Sequence, residues 1–443
     1  MPQTKDVTQR VLFFLGLGYA SLVSTQPAQA IDLFLPGIQP KAGSGAGQTV
    51  SRGASALFFN PANLIFAKHI EPTLDVSFAK LTYTYLHTDE DKYPDEVALS
   101  TTATPVTAGL ALRLIPNFAF GFAVFPTGIG ETRTVKNVPL FVPGLNQYPP
   151  NGKLVDIATA ESSLKIAGGA ALRLGSSFVL GLSTIFMHDK NKQYQVALPD
   201  EEPFLDVKNQ GSFTQFVGGL RGEVFDRRLA IGLSFKSPVT KKYKGDYVFD
   251  FSLGKDPPVE KLTETTEYLP LTVGFGLEGR FSMVGLFVDY VNEQWSKGRS
   301  LMRRGLENDP TEVDLKNTNN ISAGIKLWTG ESHMLTVSIG LHGANIGDGS
   351  EFPAKDQTGF RLTQDAAEGK GDTAIGGMSF GNLEGIPRTV MSGGYRLKIS
   401  GHGYAEFAGQ YQKGHRIVPI GYSQEGLHSL QIAMLSAGIG YGF

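Results

Sequence analysis

Five basic residues in the sequence are candidates for binding an anionic group of a ligand. They lie in or near stretches in which every second residue is apolar: Lys165, Arg221, Arg396, His188 and Lys190. A carboxylate that enters an apolar pocket needs a cation or hydrogen-bond donors, because an unpaired buried charge is costly. Acidic residues such as Asp289 and Glu406 occur in similar stretches. Mixed structural ion pairs are therefore the other interpretation of these basic residues.

The sequence contains no pattern that is typical of an enzyme active site. There is no nucleophile elbow and no His-x-x-x-His pair, and Gly45-Ala46-Gly47 lacks the preceding strand and the following Lys-Ser/Thr of a phosphate loop. The histidines are scattered, without a serine in a recognisable context. The chain has no cysteine, which excludes disulfides, thiol catalysis and Cys-ligated metals. We therefore expect no enzyme activity, no cofactor and no metal.

The elements that position these side chains are β-strands. Phe118, Phe120 and Phe122 alternate with Ala119 and Gly121, and this period of two recurs along the chain, where an amphipathic helix would repeat every 3.6 residues. The alternation predicts fourteen strands, near residues 71–87, 105–116, 118–134, 159–174, 177–190, 210–225, 228–250, 264–281, 283–298, 316–328, 333–346, 386–399, 402–415 and 426–443.

Short and long links alternate between these strands. Short links such as Pro116-Asn117 and Ser400-Gly401 are followed by long polar ones, at 88–104, 135–158, 191–209, 251–263, 299–315, 347–385 and 416–425. A soluble sandwich would share the alternating residues, but alternating link lengths favour an up-and-down transmembrane barrel with tight periplasmic turns. An even strand number closes the sheet. We therefore predict an all-β fold, a 14-stranded antiparallel transmembrane β-barrel, with a register shift near Lys80 in the first strand.

The N-terminal part predicts a signal peptide and a plug. Lys5 and Arg10 precede an apolar run of about a dozen residues, and Ala28-Gln29-Ala30 resembles a cleavage site, so residues 1–30 are expected to be a secretory signal. Residues 31–70 are expected to form a plug, or hatch, inside the lumen of the barrel formed by residues 71–443. The stretch Ser44 to Leu64 supports this, because it is rich in small residues and fits neither an amphipathic helix nor an alternating strand.

Several segments, in order, resemble the FadL/TodX-type outer-membrane transporters of long-chain fatty acids and other hydrophobic compounds. The plug stretch carries that family's Asn-Pro-Ala motif as Asn60, Pro61 and Ala62. Further segments resemble successive family strands: Leu229 to Gly245, Leu269 to Leu277, Val284 to Ser296 and Ile386 to Leu397. The resemblance implies passive capture of the ligand, movement of the hatch, and lateral release through a kink in the third strand.

The kink that the resemblance implies falls on Phe125, Pro126, Thr127 and Gly128. Residue chemistry agrees, because proline cannot donate to a strand ladder and glycine permits a bulge. A strand end at the membrane rim is the other interpretation of this segment. In that family, basic residues also lie near the ligand carboxylate. The resemblance does not identify which residues of this sequence correspond to them.

The expected function is outer-membrane transport of hydrophobic molecules, with long-chain fatty acids first and aromatic or aliphatic hydrocarbons as the alternative. From another class, a structural or adhesive outer-membrane barrel would bind a partner through its long loops. The expected partners are a hydrophobic small-molecule ligand and outer-membrane lipid, with the chain acting as a monomer. A formal net charge of −2 offers no basic field for nucleic acid.

Overall fold

The computed structural model describes most of the chain from residue 35 onward. The described residues are 35–87, 97–138, 155–197, 203–226, 228–249, 259–297, 316–330, 332–344, 360–361, 374–375, 386–418 and 426–442. The expected signal peptide lies outside them and stays a prediction.

Fourteen strands form one antiparallel barrel, as the sequence predicts. Their bounds are β1 Ile70–His87, β2 Val97–Ala103 with Val106–Ile115, β3 Phe118–Val138, β4 Val155–Leu174, β5 Phe178–Ala197, β6 Pro203–Val224, β7 Leu229–Lys236 with Val239–Phe249, β8 Val259–Leu269 with Leu271–Phe281, β9 Val284–Gln294, β10 Thr318–Thr329, β11 His333–His342, β12 Arg388–Lys398, β13 Gly403–Val418 and β14 Gly426–Tyr441. A small separate ribbon pairs Phe360–Arg361 with Ala374–Ile375.

The first and last strands close the sheet. β1 pairs with β14 from Thr73↔Gly440 to His87↔Gly426 in one uninterrupted register. The expected register shift near Lys80 is therefore wrong. Lys80 keeps its place in the alternation as an exposed residue between buried Ala79 and Leu81.

Three strands are interrupted at prolines, namely β2 at Pro105, β7 at Pro238 and β8 at Pro270. A proline has no backbone N–H to donate, so a strand can cross it only where a ladder hydrogen bond is absent or replaced. On β2 the interruption leaves the register with β1 unchanged, because Val76↔Val106 and Ala79↔Ala103 belong to the same alignment.

The outward face of the barrel is apolar and the inward face is small or polar. Exposed outward residues include Phe78, Phe122, Leu182, Phe216, Val288, Val337 and Leu435. On β14, exposed Leu435 and Ile439 alternate with buried Ser436 and Gly438. This is the surface that a lipid-embedded barrel requires. Among the residues described, no helix is both long and apolar enough to cross a membrane.

The strands differ in length, and this corrects two predicted links. β5 has 20 residues and β9 has 11, so the wall over β3–β8 extends about 30 Å further along the strand direction, at about 3.4 Å per residue. The predicted link 191–209 is mostly strand, because β5 continues to Ala197 and β6 begins at Pro203. Link 88–104 is shortened by the first half of β2. The many polar residues of these segments led to their assignment as links.

Residues 35–66, which we call the luminal segment, fill the short-turn half of the barrel. They form α1 (Ile38–Ala42), a 3₁₀ turn (Gly53–Ser55), α2 (Ala56–Phe59) and a second 3₁₀ helix (Pro61–Phe66). Nearly all of their side chains are buried. The plug expected from Ser44 to Leu64 is thus present inside the barrel as a series of short helical turns.

Candidate functional site

The Asn60-Pro61-Ala62 motif begins the second 3₁₀ helix of the luminal segment. Asn60 has an extended backbone, and its Oδ1 accepts a hydrogen bond from Ala62 N at 3.1 Å. Pro61 occupies the first helical position, where its missing N–H costs nothing and its fixed φ suits the helix. The Asn60 Nδ2 donates to Gln48 O at 2.9 Å and to Leu220 O at 3.0 Å. The motif therefore joins two parts of the luminal segment to strand β6.

Two wall glycines allow the motif to reach the sheet. A Cβ on Gly181 of β5 would lie 2.2 Å from Ala62 N, and one on Gly219 of β6 would lie 2.1 Å from Asn60 Oδ1. Both distances are far below van der Waals contact, so no other residue fits at either position without moving the motif.

The same relationship recurs around the barrel. Other inward glycines whose added Cβ would come within 3 Å of the luminal segment are Gly109, Gly121, Gly232, Gly274, Gly276, Gly340, Gly394 and Gly438. Sequence reasoning did not single out these residues. The signal was present in the 54 glycines of the chain and in their alternation with outward apolar residues.

Buried ionic groups also hold the luminal segment. Lys41 Nζ lies 2.6 Å from Asp75 Oδ2 and donates to Ser77 Oγ at 2.6 Å, both on β1. On the far wall, Asp289 Oδ2 of β9 accepts the backbone N–H groups of Gly47, at 2.6 Å, and of Gln48, at 2.7 Å. Carboxylates that accept ionic or paired N–H donors form the stronger class of hydrogen bond.

Arg221 also holds the luminal segment against the barrel wall. Its Nη1 donates to Thr49 O at 2.9 Å and to Asn63 Oδ1 at 3.1 Å, and its guanidinium lies 4.4 Å from the centre of the Phe66 ring. Arg221 is buried and does not line the cavity described below. The structure therefore places this predicted carboxylate-binding residue against the plug.

A cavity of about 180 Å³ lies between the luminal segment and the barrel wall. Its apolar lining comes from α2 and from strands β3 and β5: Phe58, Phe59, Phe125, Ile185 and Met187. Strands β9 to β12 supply polar groups on the opposite side: Asp289, Glu293, Asn320, His342 and Arg388. The two sides are about seven strands apart in a ring of fourteen, and Lys165 of β4, the ladder partner of Phe125, adds a cation beside the apolar residues.

The other four predicted basic residues lie in different parts of the barrel. Lys165 on β4 faces the lumen and lines the cavity, as expected. Arg396 also faces inward, but it lies nearer the short turns, where its Nε is 3.4 Å from Glu406 Oε1. His188 and Lys190 alternate with buried Met187 and Asp189, so they lie on the outward face, and His188 Nδ1 is 2.9 Å from Ser212 Oγ. Successive side chains on a strand alternate between its two faces, so a shift of one residue moves a side chain from the lumen to the outside.

Two cavity-lining cations were missed from the sequence. Arg388 begins β12 and Lys236 ends the first half of β7, and both border an interruption or an end of a strand. Both residues are in phase with the inward residues of their strands, so alternation was sufficient to place them inward but not to place them at the cavity. Within the described part of the chain, no group of three or more His, Asp or Glu side chains could hold a metal ion.

The segment predicted to kink is where β3 leaves β2. The β2–β3 ladder runs from Ile115↔Phe118 to Ala108↔Val124 and, among the described residues, does not continue to Val97–Ala103. On its other side β3 stays paired through Pro126↔Leu164 and Gly128↔Ser162, with a register shift between Ile129 and Arg133. We call the unpaired interval between residues 97–103 and 125–138 the β2–β3 gap. Phe125, at its lower edge, lines the cavity and packs edge-on against Phe58 with ring centres 5.9 Å apart.

A closed fourteen-stranded barrel around an N-terminal segment is the fold of the FadL-type outer-membrane transporters. A Pseudomonas aeruginosa FadL homologue matches with a TM-score of 0.66 over 95% of this chain and 99% of that chain, at 13% sequence identity. The toluene transporters TodX of P. putida and TbuX of Ralstonia pickettii match with TM-scores of 0.59 and 0.57, each at 11% identity over 91% of this chain and 97% of theirs. In sequence, the chain matches no protein-family model and no curated protein.

Proposed function

We propose that this protein carries hydrophobic molecules across the outer membrane of a Gram-negative-type bacterium, by capture in the cavity and lateral release into the bilayer. The observation that carries the proposal is the position of the cavity. Its apolar side, at Phe58 and Phe125, adjoins the β2–β3 gap. The matched FadL homologue and toluene transporters support this function by their shared fold.

Lateral release is favoured over a vertical path by the chemistry of the ligand. A long acyl chain in a water-filled pore would expose apolar surface, at about 0.8 kcal/mol per CH₂. The luminal segment blocks the vertical path with buried, hydrogen-bonded backbone. Release through the β2–β3 gap takes the ligand from the apolar side of the cavity directly to lipid, without crossing water.

The polar side of the cavity suits a long-chain fatty acid. Arg388 lies on that side, opposite Phe125, so an acid whose carboxylate faces β12 directs its chain toward the β2–β3 gap. A cation near the carboxylate offsets the cost of removing that charge from water. In this orientation the acyl chain enters the gap first and the carboxylate follows.

The size of the cavity favours the alternative, an aromatic hydrocarbon. An apolar protein cavity of about 150 Å³ holds one benzene ring, so about 180 Å³ accommodates a single ring without rearrangement. A long acyl chain would extend beyond this volume. The adhesive-barrel alternative explains neither the fastened luminal segment nor the cavity.

Parallel binding measurements test the proposal. Oleic acid, methyl oleate and toluene are titrated into the purified, detergent-solubilised barrel, each at low and at high salt. Preference for the free acid that weakens with salt identifies a carboxylate-binding cavity. Equal binding of acid and ester, or preference for toluene, identifies a hydrocarbon channel. Failure of all three to bind would refute transport through this cavity and favour the adhesive barrel.

A further inference from the structure

A second interruption of the wall lies between strands β6 and β7. Val217 pairs with Lys236 below it and Gln210 with Lys244 above it, and no ladder pair joins the described residues 211–216 of β6 to 237–243 of β7. The interval has one more residue on β7 than on β6, so the register shifts there. We call this interval the β6–β7 gap.

A pair of prolines accounts for the interruption. On the other side of β7, Lys236 pairs with Thr272 and Val239 with Leu269, which places Pro238 opposite Pro270. Neither proline can donate to the ladder. The face alternation also changes here, because Lys236 and Val239, three residues apart, both lie on the inward side. The β7–β8 hairpin keeps one register across the two prolines, while the inward face of β7 shifts by one residue there.

Side chains satisfy the backbone at the lower edge of the gap. Ser237 N donates to Phe216 O at 2.8 Å, Phe216 N donates to Ser237 Oγ at 3.0 Å, and Gln215 Nε2 donates to Ser237 O at 2.9 Å. Two of these three bonds use a side chain in place of a backbone partner. A side-chain bond can be exchanged by rotation, whereas a ladder bond breaks only with strand movement.

The gap adjoins the cavity on its inner side and apolar side chains on its outer side. Gln215, Lys236 and Pro270 line the cavity. On the lipid face, Phe216 and Phe235 are both exposed at the lower edge of the gap. At about 3.4 Å per residue and a strand tilt of about 40°, Phe216 lies about 20 Å above the short-turn end of β6, near the outer edge of an apolar band about 25 Å tall.

One ion pair crosses the luminal side of the gap. Lys241 Nζ on β7 reaches over β6 to Asp189 Oδ2 on β5 at 2.8 Å, and it lies 5.6 Å from the Phe213 ring of β6. Asp189 also accepts a hydrogen bond from Ser163 of β4. Both charged side chains are buried. The pair thus ties β7 to β5 across the strand that β7 does not pair with at this level.

We propose that the β6–β7 gap is a second lateral passage, through which a hydrophobic molecule dissolved in the outer leaflet enters the cavity, and that the Asp189–Lys241 pair closes it in this structure. The inference rests on the proposed function and adds an entry route to it. Val124, where the β2–β3 gap begins, is six residues from the start of β3, nearer mid-membrane. The lower edges of the two gaps therefore differ in height by only about 5 Å, and both border the cavity.

Cysteine cross-linking tests the passage, because the chain has no cysteine of its own. Thr214→Cys and Thr240→Cys place thiols on the outward face of the two strands within the gap. The matched control is Leu220→Cys with Leu233→Cys, which are ladder partners on the same strands below the gap. Where a disulfide does not form, a bismaleimide bridges the same pair of thiols.

Association of 9,10-dibromostearic acid is followed in lipid nanodiscs by quenching of Trp295, which lines the cavity. Trp328→Phe removes the other tryptophan of the chain. Cross-linking across the gap is expected to slow association at least tenfold, with recovery when the disulfide is reduced. The control cross-link is expected to change the rate less than twofold.

The outcomes separate the two proposals. No quenching of Trp295 in the uncross-linked protein would refute the proposed function itself. Quenching at an unchanged rate in the fully cross-linked variant would refute only the passage. Asp189→Asn with Lys241→Met is expected to speed association at least threefold, while Lys241→Arg, which keeps the pair, leaves it unchanged. An unaltered rate in the neutral double variant would refute the closing role of the pair.

Discussion

Lys41 and Asp75 form an ion pair, at 2.6 Å, in which the lysine side chain is only 1% exposed. Removing one partner of a buried pair leaves the other charge uncompensated and costs about 3–5 kcal/mol. We expect Lys41→Met to increase hydrogen exchange in residues 38–50 at least tenfold, measured by mass spectrometry. The double variant Lys41→Met with Asp75→Asn should recover part of the protection. Unchanged exchange in the single variant would show that the pair does not hold the luminal segment.

Gly219 and Gly218 are neighbours on β6 with opposite surroundings. A Cβ on Gly219 would collide with Asn60 and Pro61, whereas one on Gly218 would meet nothing within 4 Å. Gly219→Ala is therefore expected to displace the motif and reduce ligand binding at least fivefold, and Gly218→Ala to leave it unchanged. Both barrels should keep heat-modifiable migration in gel electrophoresis. Equal binding by the two variants would contradict the close fit of motif and wall.

Asn60 combines a cap with two donated hydrogen bonds, and substitutions separate these roles. Asn60→Asp keeps the oxygen that accepts from Ala62 N but cannot donate to Gln48 O or Leu220 O. Loss of the cap alone costs about 1 kcal/mol. We expect Asn60→Asp to loosen the segment at least as much as Asn60→Ala, because a carboxylate would face two carbonyl oxygens. Hydrogen exchange of residues 60–66 measures this, and a wild-type rate in Asn60→Asp would assign the whole effect to the cap.

Arg388 and Arg396 lie on the inward face of the same strand, and only Arg388 lines the cavity. Arg388→Met is expected to weaken oleate binding about tenfold or more, since a bond to a charged group contributes about 1.5–3 kcal/mol. Binding of methyl oleate should not change. Arg396→Met is the control and is expected to bind both ligands normally. Equal losses for acid and ester in Arg388→Met would mean that the arginine shapes the cavity without contacting a carboxylate.

Pro126 and Gly128 lie in the part of β3 that is paired with β4 but not with β2. Pro126→Val with Gly128→Val supplies a backbone donor and two strand-forming side chains. We expect uptake of the ligand by cells to fall at least fivefold while binding to the purified barrel is retained. Gly168→Val, on β4 where added bulk meets nothing within 4 Å, controls for the larger side chains. Normal uptake in a surface-expressed variant would contradict release through the β2–β3 gap.

Alternation predicted the barrel because lipid and lumen impose opposite requirements on successive residues. It fixed the faces of Lys165 and Arg221 but not their surroundings: one lines the cavity and the other contacts the plug. His188 and Lys190, candidates near the outer end of the fifth strand, flank buried Asp189 and lie outward, and their carboxylate-binding role stays a prediction. A single-residue shift of register is invisible in composition and reverses the face.

The outer strand ends and the cavity could not be predicted from local pattern. The extensions of β5 and β6, at residues 191–197 and 203–209, contain many polar residues, so the sequence favours a link there. The cavity depends on contacts between residues far apart in sequence, such as Phe58 with Phe125. Pro126 was recognisable from the resemblance to FadL/TodX-type transporters, whereas Pro238 and Pro270 became informative only when the register placed them opposite each other.

The inward glycines make the inner surface of the barrel wall complementary in shape to the luminal segment. Each glycine on β5, β6, β8 and β12 that faces the segment leaves space for a group of the segment that a larger side chain would displace. Segment and wall must then vary together, and neither is an independent module. A chimera that joins the N-terminal segment of one barrel of this fold to the wall of another would assemble only if the two glycine patterns coincide. Engineering of this barrel toward a new ligand therefore requires the luminal segment and the wall to be exchanged together.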